Sequence, residues 1–113
     1  MKKIEAIIKP FMLEAVKDAL VELGIDGMTL SEVTGFGLAP ERSQMYRGAR
    51  GPAPFVTRIK LEIVVPGERL ARRVIETIEE SARTGQPGDG KIFVTEVLEA
   101  IRIRTGDWGE AAI

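Results

Sequence analysis

The stretch from Val56 to Val65 constrains the fold more than any other. Ile59, Leu61, Ile63 and Val65 alternate there with Arg58, Lys60, Glu62 and Val64. A strand repeats its side-chain direction every second residue, so this run has one apolar face and one largely charged face. The apolar face needs a cover, and two helical patterns can supply it. Between Phe11 and Leu23, the residues Leu13, Val16, Leu20 and Leu23 form a stripe with Met12, Ala15 and Ala19 beside it, while Glu14, Lys17, Asp18 and Glu22 lie off it. Between Glu68 and Arg83, a second stripe runs through Leu70, Val74, Ile78 and Ala82, joined by Ala71 and Ile75.

Further strands fall around these patterns. Lys3 to Lys9 reads as a buried strand, with Ile4, Ala6 and Ile8 on one face and Ile7 on the other. Pro10 ends it and suits a first helical turn, and Gly24 is a natural helix stop. Met28 to Phe36 is a second strand, with Met28, Leu30 and Val33 expected inward. Lys91 to Val94 is another, and the apolar alternation continues through Val97, Leu98, Ala100, Ile101 and Ile103. Arg102 and Arg104 alternate with that set and are expected to point the same way from one strand. The order β-α-β-β-α-β predicts an α+β, ferredoxin-like sandwich in a single domain over residues 1–113. Ile7 and Val64 would lie on the uncovered sheet face, and self-association is the simplest way to hide it.

Composition excludes several function classes. Among 113 residues there is no histidine and no cysteine. That removes the commonest general base, the commonest metal ligand and all thiolate chemistry. No catalytic residue and no protein metal site are expected. A net charge of −1 provides no field to draw nucleic acid. An RNA-binding domain would also want aromatic residues on its open sheet face. No apolar run approaches the roughly 20 residues of a membrane span. The opening Met1-Lys2-Lys3-Ile4-Glu5 enters a strand pattern rather than a signal peptide, which predicts a cytoplasmic location without membrane insertion.

Chemistry concentrates in Thr84-Gly85-Gln86-Pro87-Gly88-Asp89-Gly90-Lys91, between the second helix and a strand. Glycines let a ligand approach the backbone closely, and a terminal lysine can place a point charge on a phosphate. Gly35 and Gly37 form a second glycine pair. With Lys91, Arg102 and Arg104 they supply the pieces expected of an anion site, while Arg102 and Arg104 also fit a solvated strand face. The same residues also fit a plain helix stop and turn, with Lys91 solvated and Asp89 a turn residue. No Walker-type loop and no pair of carboxylates at catalytic spacing occur. Residues 38–55 carry Pro40, Pro52 and Pro54, keep no period, and read as a long mobile loop. Its Arg42, Met45, Tyr46, Arg47, Arg50 and Phe55 would grip a partner.

These residues carry a family likeness. The chain resembles the PII signal transduction proteins of nitrogen and carbon regulation over nearly its whole length. The resemblance rests on Met1 to Phe11, on Gly27-Met28-Thr29, on Glu32 to Gly37 and on Tyr46-Arg47-Gly48-Ala49. Thr84 to Val94 and Ile101 to Gly106 are similar to the family's most specific signatures. It implies a homotrimer that binds ATP or ADP in clefts between subunits, with Mg accompanying ATP. Gly88, Gly90 and Lys91 would hold phosphates, and Arg102 and Arg104 would reach them from the adjoining subunit. Ile7, Thr29, Gly37, Glu62 and Val64 would frame the adenosine, with Gly35, Arg58, Thr84 and Asp89 at the same site. The long loop would regulate a target such as a membrane transporter or metabolic enzyme.

The departures from the family pattern lie in and beside the loop. Leu38 and Ala39 stand where relatives have a basic residue and a glutamine that helps hold magnesium with 2-oxoglutarate. A methyl group cannot ligate magnesium. Arg58 replaces a lysine that contacts 2-oxoglutarate, keeping the charge but not the reach. Gly51 and Ala49 replace the tyrosine and serine that relatives modify, so no modification is expected at either position. The residues leave open whether 2-oxoglutarate, bicarbonate or another small anion sits beside the nucleotide, and whether ATP, ADP or AMP is preferred. Slow ATP hydrolysis at the same cleft is the alternative from another class.

Overall fold

The computed structural model describes residues 1–37 and 55–113. The long-loop residues Arg42, Met45, Tyr46, Arg47 and Arg50, with Leu38, Ala39, Ala49 and Gly51, lie outside the described residues.

The elements run β1 (Lys2–Ile8), α1 (Leu13–Leu23), β2 (Thr29–Gly35), β3 (Val56–Val65), α2 (Glu68–Ala82) and β4 (Lys91–Glu96). The strands form one antiparallel sheet in the order β2-β3-β1-β4. Each helix therefore carries the chain past one intervening strand, which is the split β-α-β arrangement that defines the ferredoxin-like fold.

Alternation decides which side chains are buried. Ile4, Ala6 and Ile8 of β1 meet Leu61, Ile63 and Val65 of β3 on the face that the helices cover. Val16 and Leu20 of α1 and Ala71, Val74, Ile78 and Ala82 of α2 close that core. The proline-led start takes the form of a 3-10 turn over Pro10–Met12, so α1 begins at Leu13 rather than Phe11. Gly24 ends α1 with φ 104, a conformation that a Cβ would oppose.

Three sequence expectations need correction. Val33 pairs with Arg58 on the uncovered face, because it is an odd number of residues from Met28 and Leu30, and Leu30, though on the helix side, is 45% exposed on the edge strand β2. That face is also less apolar than expected. Lys60 lies 3.3 Å from Glu5 and 3.9 Å from Glu62, and Lys3 lies 3.7 Å from Glu62. These ion pairs lace the sheet around Ile7 and Val64.

The largest correction concerns residues 97–108, which do not continue β4. Gly106 donates its N–H to the Arg102 carbonyl at 2.7 Å, and Arg102 donates to the Asp107 carbonyl at 2.9 Å. An isolated bridge joins Ile101 to Trp108. The apolar alternation is thus folded back on itself into a small hairpin. Its turn is made by Thr105-Gly106-Asp107: Gly106 has φ 74, and the Thr105 hydroxyl donates to the Asp107 carboxylate at 2.7 Å. Arg102 consequently opens a turn that contains Arg104, and the two do not share one strand face. Leu98 and Ile103 are 89% and 99% exposed, so the strongest unpartnered apolar surface is this hairpin rather than the sheet face.

Candidate functional site

The glycine loop is built by its own polar groups. Asp89 Oδ2 accepts the backbone N–H of Thr84 and of Gly85, each at 2.9 Å. Its other oxygen accepts the Thr84 hydroxyl and lies 3.2 Å from Lys9 Nζ. Lys9 also donates to Thr84 Oγ1 at 3.2 Å, and Gln86 N–H donates to the same oxygen at 3.1 Å. The Thr84 hydroxyl, then the backbone N–H groups and Lys9, hold the Asp89 carboxyl well below the usual carboxylate range against some desolvation. The loop is moored to β1 a second time at Gly90. A Cβ there would stand 1.7 Å from the Ile7 carbonyl oxygen, and φ is +103, so only glycine fits.

This folding gathers seven of the expected site residues around one recess. Gly35, Gly37, Arg58, Gly88, Asp89, Gly90 and Lys91 line a cavity of about 430 Å³, with Phe36, Val56 and Gln86. Lys91 is exposed and forms no ion pair among the described residues. Arg58 donates to the Thr57 carbonyl at 3.0 Å. The rim holds cations and a glycine backbone, the combination that receives a phosphate or carboxylate.

A second recess, about 630 Å³, takes three others: Thr29, Glu62 and Val64, together with Met28, Ile101 and the chain end at Ile113. Arg58 and Glu62 are four residues apart on β3 and face the same way, which separates the two recesses by roughly 13 Å along the open sheet face. Ile7 stands on that face in register with Lys60 and Lys91. Arg102 and Arg104 line neither recess; their hairpin adjoins the second one through Ile101. Thr84 belongs to the hydrogen-bonded base of the loop. One copy of the chain thus carries the expected residues in two separate recesses.

Two contributors escape a reading of the sequence. Lys9 is mostly buried at the loop's base, but nothing in Ile8-Lys9-Pro10 signals a partner in Thr84 or Asp89. Phe55, expected at a partner, also meets Phe36 with its ring, 5.9 Å between centroids, a contact that nothing in the sequence signals, although both rings stay largely exposed. Among the described residues, no group of three or more acidic side chains could hold a metal ion. No described helix is long and apolar enough to cross a membrane.

A four-stranded antiparallel sheet with two helices on one face and a glycine loop at its end is the frame of a small ferredoxin-like α+β protein. Residues 1–107 match the family described as nitrogen regulatory protein P-II, and the chain belongs to that family. It is similar to the nitrogen regulatory proteins P-II of Haemophilus influenzae (54% identical) and Bradyrhizobium diazoefficiens (52%), each over 113 residues and the full length of both chains. Among solved structures it is similar to Arabidopsis thaliana PII bound to citrate, with 43% identity and a TM-score of 0.80 over 99% of this chain and 91% of that one.

Proposed function

We propose that this P-II protein senses adenine nucleotides, ATP or ADP, in clefts between copies of itself and signals through residues 38–55 to a target protein in the cytoplasm. The carrying observation is the division of the site. The glycine-loop recess brings the cations Lys91 and Arg58 together with glycine backbone, the groups that receive phosphates. The recess at Thr29, Glu62 and Val64 offers Met28 and Ile101 as apolar walls for a base and Glu62 as an acceptor, but no arginine among the described residues. A cleft formed by the loop of one copy and the hairpin of the next would join them. It would also cover Leu98, Ile101 and Ile103 and bring Arg102 and Arg104 to the phosphates. A homotrimer closes three such head-to-tail contacts by symmetry.

Magnesium would ride on the phosphates rather than on the protein, because Asp89 is the one carboxylate lining the loop recess among the described residues and its oxygens are already engaged. The same engagement argues against a base for hydrolysis, and the relatives are named as regulatory proteins. A small carboxylate beside the nucleotide is a second reading, favoured by the citrate bound to the Arabidopsis relative. Arg58 in the loop recess could receive it.

Calorimetric titration with ATP, ADP and AMP, each repeated with bicarbonate, with citrate and with 2-oxoglutarate plus magnesium, tests this function. The expected result is saturable ATP or ADP binding. No binding of any adenine nucleotide contradicts it. An anion that alters nucleotide affinity identifies the second ligand.

A further inference from the structure

Asp89 stands where a triphosphate would least tolerate it. It lies between Gly88 and Gly90 and two residues before Lys91, all of which line the loop recess. A solvated carboxylate at that position would repel a phosphate. Each of its oxygens, however, is engaged twice, by Thr84 N–H and Gly85 N–H on one and by the Thr84 hydroxyl and Lys9 on the other. The ring this closes consumes the N–H groups of Thr84, Gly85 and Gln86. The N–H of Gly88, at φ 91, has no partner among the described residues and lines the recess.

We infer that Asp89 is a positioning residue and not a nucleotide contact: with Thr84 and Lys9 it locks residues 84–89 into the shape that offers Gly88 and Lys91 to an anion. The inference rests on the nucleotide reading above and deepens it. Lys9 matters twice. It neutralises the carboxylate, and it ties the loop to the residue that follows β1. Gly90 fixes the other end of the loop on the Ile7 carbonyl. A loop ordered before its ligand arrives loses less conformational freedom on binding, and that gain applies to the phosphate end alone.

Titration of the full-length protein with ATP and, separately, with adenosine tests the assignment in the wild type, Asp89→Asn and Thr84→Val. Asp89→Asn keeps the size, removes the charge and replaces one acceptor by a donor. ATP affinity is expected to fall about tenfold or more while adenosine affinity is unchanged. Thr84→Val, which removes only the hydroxyl, gives a smaller loss of the same sign and stands in if Asp89→Asn does not fold. Simple repulsion between Asp89 and phosphate predicts the opposite sign, tighter ATP in Asp89→Asn. Tighter or unchanged ATP binding in the variants overturns the positioning role alone. Equal losses for ATP and adenosine overturn it too, since a general loss of structure would spare neither. A wild type that binds no ATP overturns the nucleotide reading beneath it.

Discussion

The glycine loop at residues 84–91 and the hairpin at 97–108 are both short, glycine-bearing excursions from the same sheet, and they are finished differently. The loop satisfies itself. Its carboxylate, hydroxyl and backbone groups bond to one another and to Lys9, and Gly90 rests directly on β1. The hairpin satisfies its backbone but leaves its side chains bare, with Ile103 almost fully exposed. A region whose polar groups are paired at home is ready for a ligand. A region that exposes branched aliphatic side chains is ready for another protein surface. On the proposed function, the two halves of the site would therefore depend on assembly unequally.

Glycine substitutions should expose this difference most sharply. Gly90→Ala forces a Cβ onto the Ile7 carbonyl at 1.7 Å in a left-handed conformation, so the β1–β4 pairing must shift. A destabilisation of about 3 kcal/mol or more is expected in urea unfolding. Gly106→Ala, also at positive φ but with nothing within 4 Å of the new methyl, should cost only about 1 kcal/mol. Equal costs would mean that the loop is not moored to β1 as described.

At the loop recess, Lys91→Ala removes a cation that forms no ion pair among the described residues. It should weaken ATP by roughly tenfold while leaving the oligomer's mass in light scattering unchanged. Ile103→Ser touches no core residue, so it should leave secondary structure intact and shift the oligomer toward smaller species at low concentration. An unchanged mass would remove the hairpin from the interface.

The smallest effect concerns pH. Asp89 has a depressed folded-state value, so its contribution is complete above the ordinary aspartate value of about 3.9 and is lost only as pH falls through the lower folded one. Between pH 8 and pH 5, nuclear magnetic resonance should find no titration of its carboxyl group. A carboxyl that titrates in that window would contradict the hydrogen-bonded ring.

The sequence made the sheet legible because period-two alternation survives wherever one face is buried. The bounds Val56–Val65 and the buried set Ile4, Ala6 and Ile8 follow from it directly. The same alternation misled at Val97 to Ile103, where the turn chemistry of Thr105-Gly106-Asp107 overrides it. The glycine loop was legible as a candidate place for anions, since its three glycines and terminal lysine stand together in the sequence. The role of Asp89 was not, because its partners depend on Lys9, which lies eighty positions away along the chain and is brought near only by β1–β4 pairing. The division of the site was hidden for a similar reason: Arg58 and Glu62 share one strand face, and only the folded recesses separate them.

On the proposed function, a complete site needs the loop of one copy and the hairpin of another. Co-expression of Lys91→Ala and Arg102→Ala chains under separate affinity tags, followed by ATP titration of the doubly tagged assembly, tests it most directly. Each variant alone should bind ATP weakly. In the mixed assembly an intact loop meets an intact hairpin in some clefts, so a fraction of wild-type-affinity sites should return. Mixed assemblies that bind no better than either parent would place both halves of the site on a single chain and contradict the account.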